Sequence, residues 1–287
     1  MRPLLVILLW ATSAYGSSFT HLYVVGDSLS DTGYGVQIGL SPLPDYCFEQ
    51  GWSNGPLWPQ QLMALFGKSF SPQDNKAVAG ASTYPYPINW NGLLITRPGL
   101  VDQINALPIR DASQSLFIVW IGHNDLLRNL SFNSTDSAAY EFFSQFALDN
   151  IKQGIVRLHR RGARRIIVLS LFDFSTTKLI RDNQPDDILS ISYQFWWFNV
   201  RLQQVVKQES TMFRDTKLRF ADAGSFLNGT LNELPYPYGA GIEDPLWICC
   251  RDFDAGNAYG TWDDRHPTTL RYGELAQWLK GIISRMP

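Results

Sequence analysis

The stretch HLYVVGDSLSDTG, His21 to Gly33, sets a run of β-formers against an abrupt cluster of small, polar and acidic residues. Leu22 to Val25 is apolar without alternation, the pattern of a strand covered on both faces in a parallel sheet. Gly26 ends the run, and Asp27, Ser28, Leu29, Ser30 and Asp31 follow. Open α/β sheets bind ligands beyond the carboxyl ends of their strands. Ser28 is therefore either an ordinary turn residue or a side chain presented to a substrate.

The pattern recurs down the chain. Leu116 to Ile121 and Arg165 to Leu171 are nearly continuous apolar runs, and Leu218 to Ala221 is a fourth, interrupted by Arg219. Helix-like stretches lie between and after them: Pro56 to Phe66, Ser137 to Arg161, Ile188 to Gln208 and Thr268 to Ser284. This alternation predicts a three-layer α/β/α domain on a parallel sheet. Gly122-His123-Asn124-Asp125 follows the second run and Phe172-Asp173-Phe174 the third, so polar residues gather where the cleft of such a sheet belongs.

Composition narrows the class. The chain has 287 residues, 45% hydrophobic and 17% charged, which excludes disorder and suits one α/β domain. The net charge is −2 and there is no long basic run, so no nucleic-acid partner is expected. Arg157, His159, Arg160, Arg161, Arg164 and Arg165 read as a solvated helix C-terminus favoured by its dipole. MRPLLVILLWATSAYG has an early arginine, a short apolar run and small residues at Ala14 and Gly16. It predicts a secretory signal peptide over residues 1–16, a mature domain over 17–287, and export to the periplasm or the medium if the host is bacterial. No other segment is long and apolar enough to span a bilayer. Cys47, Cys249 and Cys250 would give one disulfide and one odd thiol after export, Cys47 bridging either of the others. They make a poor zinc site, and no metal or cofactor is expected. Sequons stand at Asn129, Asn133 and Asn228.

The aromatic stretch ISYQFWWFNVRLQQ predicts a helix packing Tyr193, Trp196, Trp197 and Val200 onto the sheet, with a wall for an acyl chain as the alternative. Tyr84 to Trp90 and Leu234 to Trp247, rich in Pro, Tyr and Trp, read as loops that rim an apolar groove or stiffen the surface.

Serine hydrolysis needs a nucleophile, a base, a group to orient the base, and oxyanion donors. Of four histidines, His21 opens a strand and His159 sits in the cationic helix end, whereas His123 follows a strand. His266 lies in WDDRHPTT, three residues after Asp263. A carboxylate on Nδ1–H leaves Nε2 free as the base. Gly80 in NKAVAGAST and the amide of Asn124 are candidate oxyanion donors, with the N–H of Ser28 at a helix start as the third. Singly, Gly80 reads as a turn glycine and Asn124 as a cap.

Together, GDSLSDTG, NKAVAGA, GHND and DDRHPT, in this order, resemble the SGNH or GDSL-type esterase and lipase family. QGWSNGPLWPQQL, FNVRLQQ and RFADAGSFL extend the likeness over nearly the whole mature chain. The resemblance implies a flavodoxin-like sheet, Ser28 as nucleophile, His266 as base, Asp263 as third member of the triad, and Ser28, Gly80 and Asn124 as oxyanion hole. It is nearest to a secreted bacterial branch of lysophospholipases, phospholipases A and glycerophospholipid–cholesterol acyltransferases. That implies a lipid ester substrate, transient contact with a membrane surface, and an acyl-enzyme that an alcohol as well as water can discharge. The chain departs from that branch at His123, where a small residue is usual, and at FDFSTTK, where many relatives carry proline. A carbohydrate acetylesterase or short-chain esterase of the same fold is the alternative, and a non-catalytic exported binding protein a further one.

GWSNG, Gly51 to Gly55, matches the G-x-S-x-G elbow of other hydrolases, but that elbow needs a strand before it. SPLPDYCFEQ, with two prolines, is a poor strand, so Ser53 is set aside. Asp264 is the second choice for orienting His266, and Asp27 and Asp31 are expected to cap the loop around Ser28.

Overall fold

The computed structural model describes residues 19–40, 51–90, 93–130, 137–232 and 260–286. The expected leader, the three cysteines, Asn133 and the 234–247 loop lie outside the described residues. The strands are β1 (Leu22–Gly26), β2 (Tyr86–Trp90), β3 (Leu93–Arg97), β4 (Leu116–Trp120), β5 (Arg165–Leu169) and β6 (Lys217–Ala221). The α-helices are α1 (Tyr34–Gln37), α2 (Trp58–Leu65), α3 (Leu100–Ala106), α4 (His123–Leu130), α5 (Ser137–Arg160), α6 (Lys178–Asn183), α7 (Ile188–Met212), α8 (Ala223–Asn232) and α9 (Thr269–Ser284).

Strands β1, β4, β5 and β6 form a parallel sheet in the order β1-β4-β5-β6. Val24 faces Ile118, and Ile118 faces Ile167. All three are fully buried, as the unbroken apolar runs require. Helices α2, α8 and α9 pack together as one layer, and α3, α5 and α7 as the other. The α/β/α parallel-sheet expectation is met.

On its free side β1 takes a short extended neighbour. Lys76 N–H donates to the Val24 carbonyl at 2.9 Å and Val78 N–H to that of Gly26 at 3.1 Å. Chain order therefore reverses across β1, and its carboxyl end is the switch point where such sheets open a crevice. Gly26 sits there in close quarters. Gln103 of α3 accepts from its N–H at 2.8 Å and donates to its carbonyl at 3.0 Å. A Cβ on Gly26 would fall 2.5 Å from the Trp120 carbonyl oxygen.

Two local expectations are corrected. The stretch from Tyr86 to Trp90 is a strand, paired antiparallel with β3; its Pro87 is tolerated because a two-stranded hairpin is all edge. On α7 the buried stripe is Ile191, Phe195, Phe198, Leu202 and Val206, whereas Tyr193 and Trp196 are 59% and 57% exposed. Both stripes fit a helical period, and packing chose the more aliphatic phase. The fourth run is a strand as expected, β6, starting one residue earlier at Lys217; its half-buried Arg219 is accommodated because β6 ends the sheet order among the described residues. Among the described residues no helix is long and apolar enough to cross a membrane.

The start of α4 is tied to the 79–83 segment through Asp125, which accepts from Thr83 N–H at 2.9 Å and from Thr83 Oγ1 at 2.6 Å. Burial pushes its carboxyl up to about 6, against the pull of the Thr83 hydrogen bonds and Arg128.

Two outcomes are expected. Gly26→Ala should cost about 1–3 kcal/mol in urea denaturation, because the methyl meets backbone and the sheet must shift; an unchanged midpoint would contradict the close approach. Folded Asp125 holds its proton more tightly than unfolded Asp125, so its contribution is fully present below pH 3.8 and is lost as pH rises through about 6. Relative to Asp125→Asn, the wild type should thus lose about 3 kcal/mol across that window. Parallel stability profiles for the two proteins would show that Asp125 ionises normally.

Candidate active site

Ser28 stands just past β1, but not at the start of a regular helix as expected. Ser30 and Asp31 N–H both return to the Asp27 carbonyl, at 3.1 and 3.0 Å, so residues 27–31 close a single turn. The first α-helix, α1, begins only at Tyr34. The acidic residues explain the break. Asp27 Oδ1 accepts from Leu29 N–H, and Asp31 Oδ1 accepts from the N–H groups of Gly33 and Gly35, which redirects the chain. Asp31 Oδ2 also accepts from Ala79 N–H at 2.8 Å, locking the Ser28 turn to the loop that carries Gly80. Burial pushes the Asp31 carboxyl up to about 6, although the N–H groups of Ala79, Gly33 and Gly35 pull the other way. The capping expected of Asp27 and Asp31 is present.

His266 reaches Ser28 from the far end of the chain. Its Nε2 lies 2.9 Å from Ser28 Oγ, and its Nδ1 lies 2.5 Å from Asp263 Oδ2. Asp263 Oδ1 also accepts from the N–H groups of His266 and Arg265, at 2.6 and 2.8 Å. Burial alone would raise the Asp263 carboxyl, but the imidazole and these donors hold it below the ordinary range. Nδ1–H donating to a carboxylate leaves Nε2 as the acceptor facing Ser28. Asp264 is engaged elsewhere, by the Arg265 guanidinium at 2.7 and 2.9 Å.

The His266 loop is clamped by the decoy stretch. Ser53 is fully buried and donates to the Pro267 carbonyl at 3.1 Å, while Asn54 Oδ1 accepts from Thr269 N–H. Trp52 lies against the imidazole, with ring centres 5.1 Å apart. Residues 51–55 form successive bends.

Gly80 is the third residue of a turn closed by Ala81 N–H on the Val78 carbonyl, and its φ of +72° is one that other residues rarely adopt. Asn124 Nδ2 donates to the Ala81 carbonyl at 2.9 Å, which aligns its amide and leaves a second N–H for another acceptor. Among the described residues, the N–H groups of Ser28 and Gly80 have no protein partner. Ser28, Gly80, Asn124, Asp263 and His266 all line one cavity of about 440 Å³. The arrangement can take a proton from Ser28, hold it on His266, and offer three donors to a developing oxyanion.

His123 also lines the cavity, but both ring nitrogens are occupied. Nδ1 lies 2.9 Å from Asp27 Oδ2, and Nε2 accepts from Phe172 N–H at 3.0 Å. The ring stacks on Phe174. Its role is to join the nucleophile turn to the loop after β5. That bridge escaped the sequence reading, as did Arg128, which donates to the Gly80 carbonyl at 2.8 Å, and Arg97, which enters the cavity from the hairpin. The sequence signals for His123 were its place just after a strand and its standing where a small residue is usual.

Comparison with known proteins agrees with this architecture. The family model for GDSL-like lipase/acylhydrolase proteins matches residues 22–279. A search by sequence against curated proteins returned no match. Among solved structures, one form of Axe2, an acetyl xylan esterase from Geobacillus stearothermophilus, superposes with a TM-score of 0.54 at 15% identity, covering 94% of this chain and 96% of that one. A catalytic mutant of the same esterase gives 0.54 at 14% identity, covering 92% and 93%. At such identity these likenesses bear on the fold. The family match, running from β1 into α9, carries the assignment: the chain belongs to the GDSL-like lipase/acylhydrolase family and is a carboxylic ester hydrolase.

Proposed function

We propose that the chain cleaves the acyl ester of a lipid, of the lysophospholipid type, in two steps through an acyl-enzyme on Ser28. The single observation that carries the chemistry is the continuous Asp263–His266–Ser28 chain of hydrogen bonds at 2.5 and 2.9 Å. In this reading Ser28 Oγ attacks the ester carbonyl while His266 Nε2 takes its proton. Asp263 stabilises the imidazolium, and the N–H groups of Ser28 and Gly80 with the Asn124 amide hold the oxyanion. His266 then protonates the leaving alcohol. In the second step it activates water against the acyl-enzyme, releasing the acid. An alcohol in place of that water gives acyl transfer by the same route.

Trp52, Leu127 and Phe174 in the cavity wall favour an apolar acyl group. A substrate held in a lipid surface also requires contact with that surface during turnover. The leader at residues 1–16, read as an export signal, would place the reaction outside the cytoplasm. A second reading, an acetyl ester of a carbohydrate, draws support from the acetyl xylan esterases that share the fold.

Fatty acid release from a lysophospholipid and a diacyl phospholipid, set beside acetate release from acetylated xylan and a short aryl ester, separates the readings. Lipid cleavage is expected, abolished in Ser28→Ala and retained in Ser53→Ala. Acetate release alone would move the substrate to carbohydrate and leave the triad intact. Asn124→Ala should lose about 3 kcal/mol of barrier lowering, on the order of a hundred-fold in kcat. Turnover near wild type in that variant would remove Asn124 from the oxyanion hole.

A further inference from the structure

Arg97 ends the β2–β3 hairpin and lines the same cavity as Ser28, Gly80 and His266. Its guanidinium rests on Gly80: a Cβ built there would lie 2.7 Å from Nη1 and 2.9 Å from Cζ. The glycine thus serves the turn and also lets a cation lie against the oxyanion loop.

Among the described residues this cation is poorly satisfied. Nη2 reaches the Leu40 carbonyl at 3.3 Å, a long contact, and Nε is buried with no partner among the described residues. The nearby carboxylate, Asp31, is already taken by three backbone N–H groups. The other guanidiniums around the cavity are committed. Arg265 is paired in a fork with Asp264. Arg128 donates to Ser82 Oγ and the Gly80 carbonyl and lies over the Tyr86 ring. A buried guanidinium N–H without an acceptor is costly, and a planar fork of donors fits the paired oxygens of a phosphate or a carboxylate.

We propose that Arg97 is a specificity-determining residue that binds an anionic group carried by the substrate close to its scissile ester. This deepens, and rests on, the reading of Ser28 as the nucleophile of an ester hydrolase. The shared chemistry is an oxyanion pair, and two sources supply it. The phosphodiester of a lysophospholipid lies a glycerol's length from the ester. The carboxylate of an acetylated uronic-acid saccharide lies within the same sugar ring. The apolar wall of Trp52, Leu127 and Phe174 makes the phosphodiester the better fit.

Direct binding tests this without turnover. Calorimetry would compare two uncleavable pairs: an ether-linked short-chain analogue of lysophosphatidylglycerol against the uncharged 1-O-alkylglycerol, and methyl galacturonoside against methyl galactoside. The wild-type protein is expected to favour the charged member of one pair. That preference should fall roughly ten- to hundred-fold in Arg97→Gln and survive in part in Arg97→Lys, which keeps charge but not the fork. Preference in the lipid pair identifies a phosphodiester, and preference in the sugar pair a uronate. No preference in wild type, or one unchanged in Arg97→Gln, overturns the inference. Aryl ester turnover by wild type and Ser28→Ala, measured alongside, reports on the nucleophile separately. Turnover persisting in Ser28→Ala would sink the underlying reading whatever the binding data show.

Discussion

Asp31 binds together two loops on which the rest of the site depends. One oxygen holds the turn after β1 by accepting from Gly33 and Gly35, and the other accepts from Ala79 at 2.8 Å. Nucleophile and oxyanion loop are thereby fixed to one buried group. Asn75 adds a second tie across the same gap, donating to the Ser30 carbonyl at 2.7 Å. Opposite, Asp27 and His123 extend the framework to the loop after β5. Three strand ends are thus coupled by buried, hydrogen-bonded polar groups. Such networks specify one arrangement because any slip leaves a group unpaired in a low-dielectric interior.

The triad's other half is held by different means. Asp263 and His266 belong to the loop that leads into α9, and their placement comes from α2 and the bends before it. Ser53, Asn54 and Gln61 each bond to residues 267–269. The serine that mimics a nucleophile elbow is therefore a strut for the true histidine loop. Its hydroxyl is spent on a carbonyl.

Much of this was legible beforehand, for physical reasons. Strands buried on both faces must be continuously apolar, so β1, β4 and β5 announced themselves. The residues of the site were legible because acyl transfer admits few side-chain types in few roles, and four blocks supplied them in order. The phase of α7 was not legible: Tyr193 and Ile191 begin equally good helical stripes, and only contact with the sheet decides between them. The hairpin was hidden by Pro87 and by aromatic residues that suit a loop as well as a strand. The turn at Ser28 reads in the sequence as a helix start; in the structure Asp27 and Asp31 cap a single turn and then turn the chain away. The bridge made by His123 was unreadable because its partners, Asp27 and the Phe172 amide, meet it only when the sheet is assembled.

The β2–β3 hairpin hydrogen-bonds within itself and shares no ladder with the parallel sheet. It departs just after the Gly80 turn and returns just before α3, the helix whose Gln103 grips Gly26. Both attachment points are pinned by contacts that do not involve the hairpin. Its sequence, and the charge it delivers over the oxyanion loop, can therefore drift without loosening the triad. Selection can act on which ester is admitted while the means of breaking it is left alone.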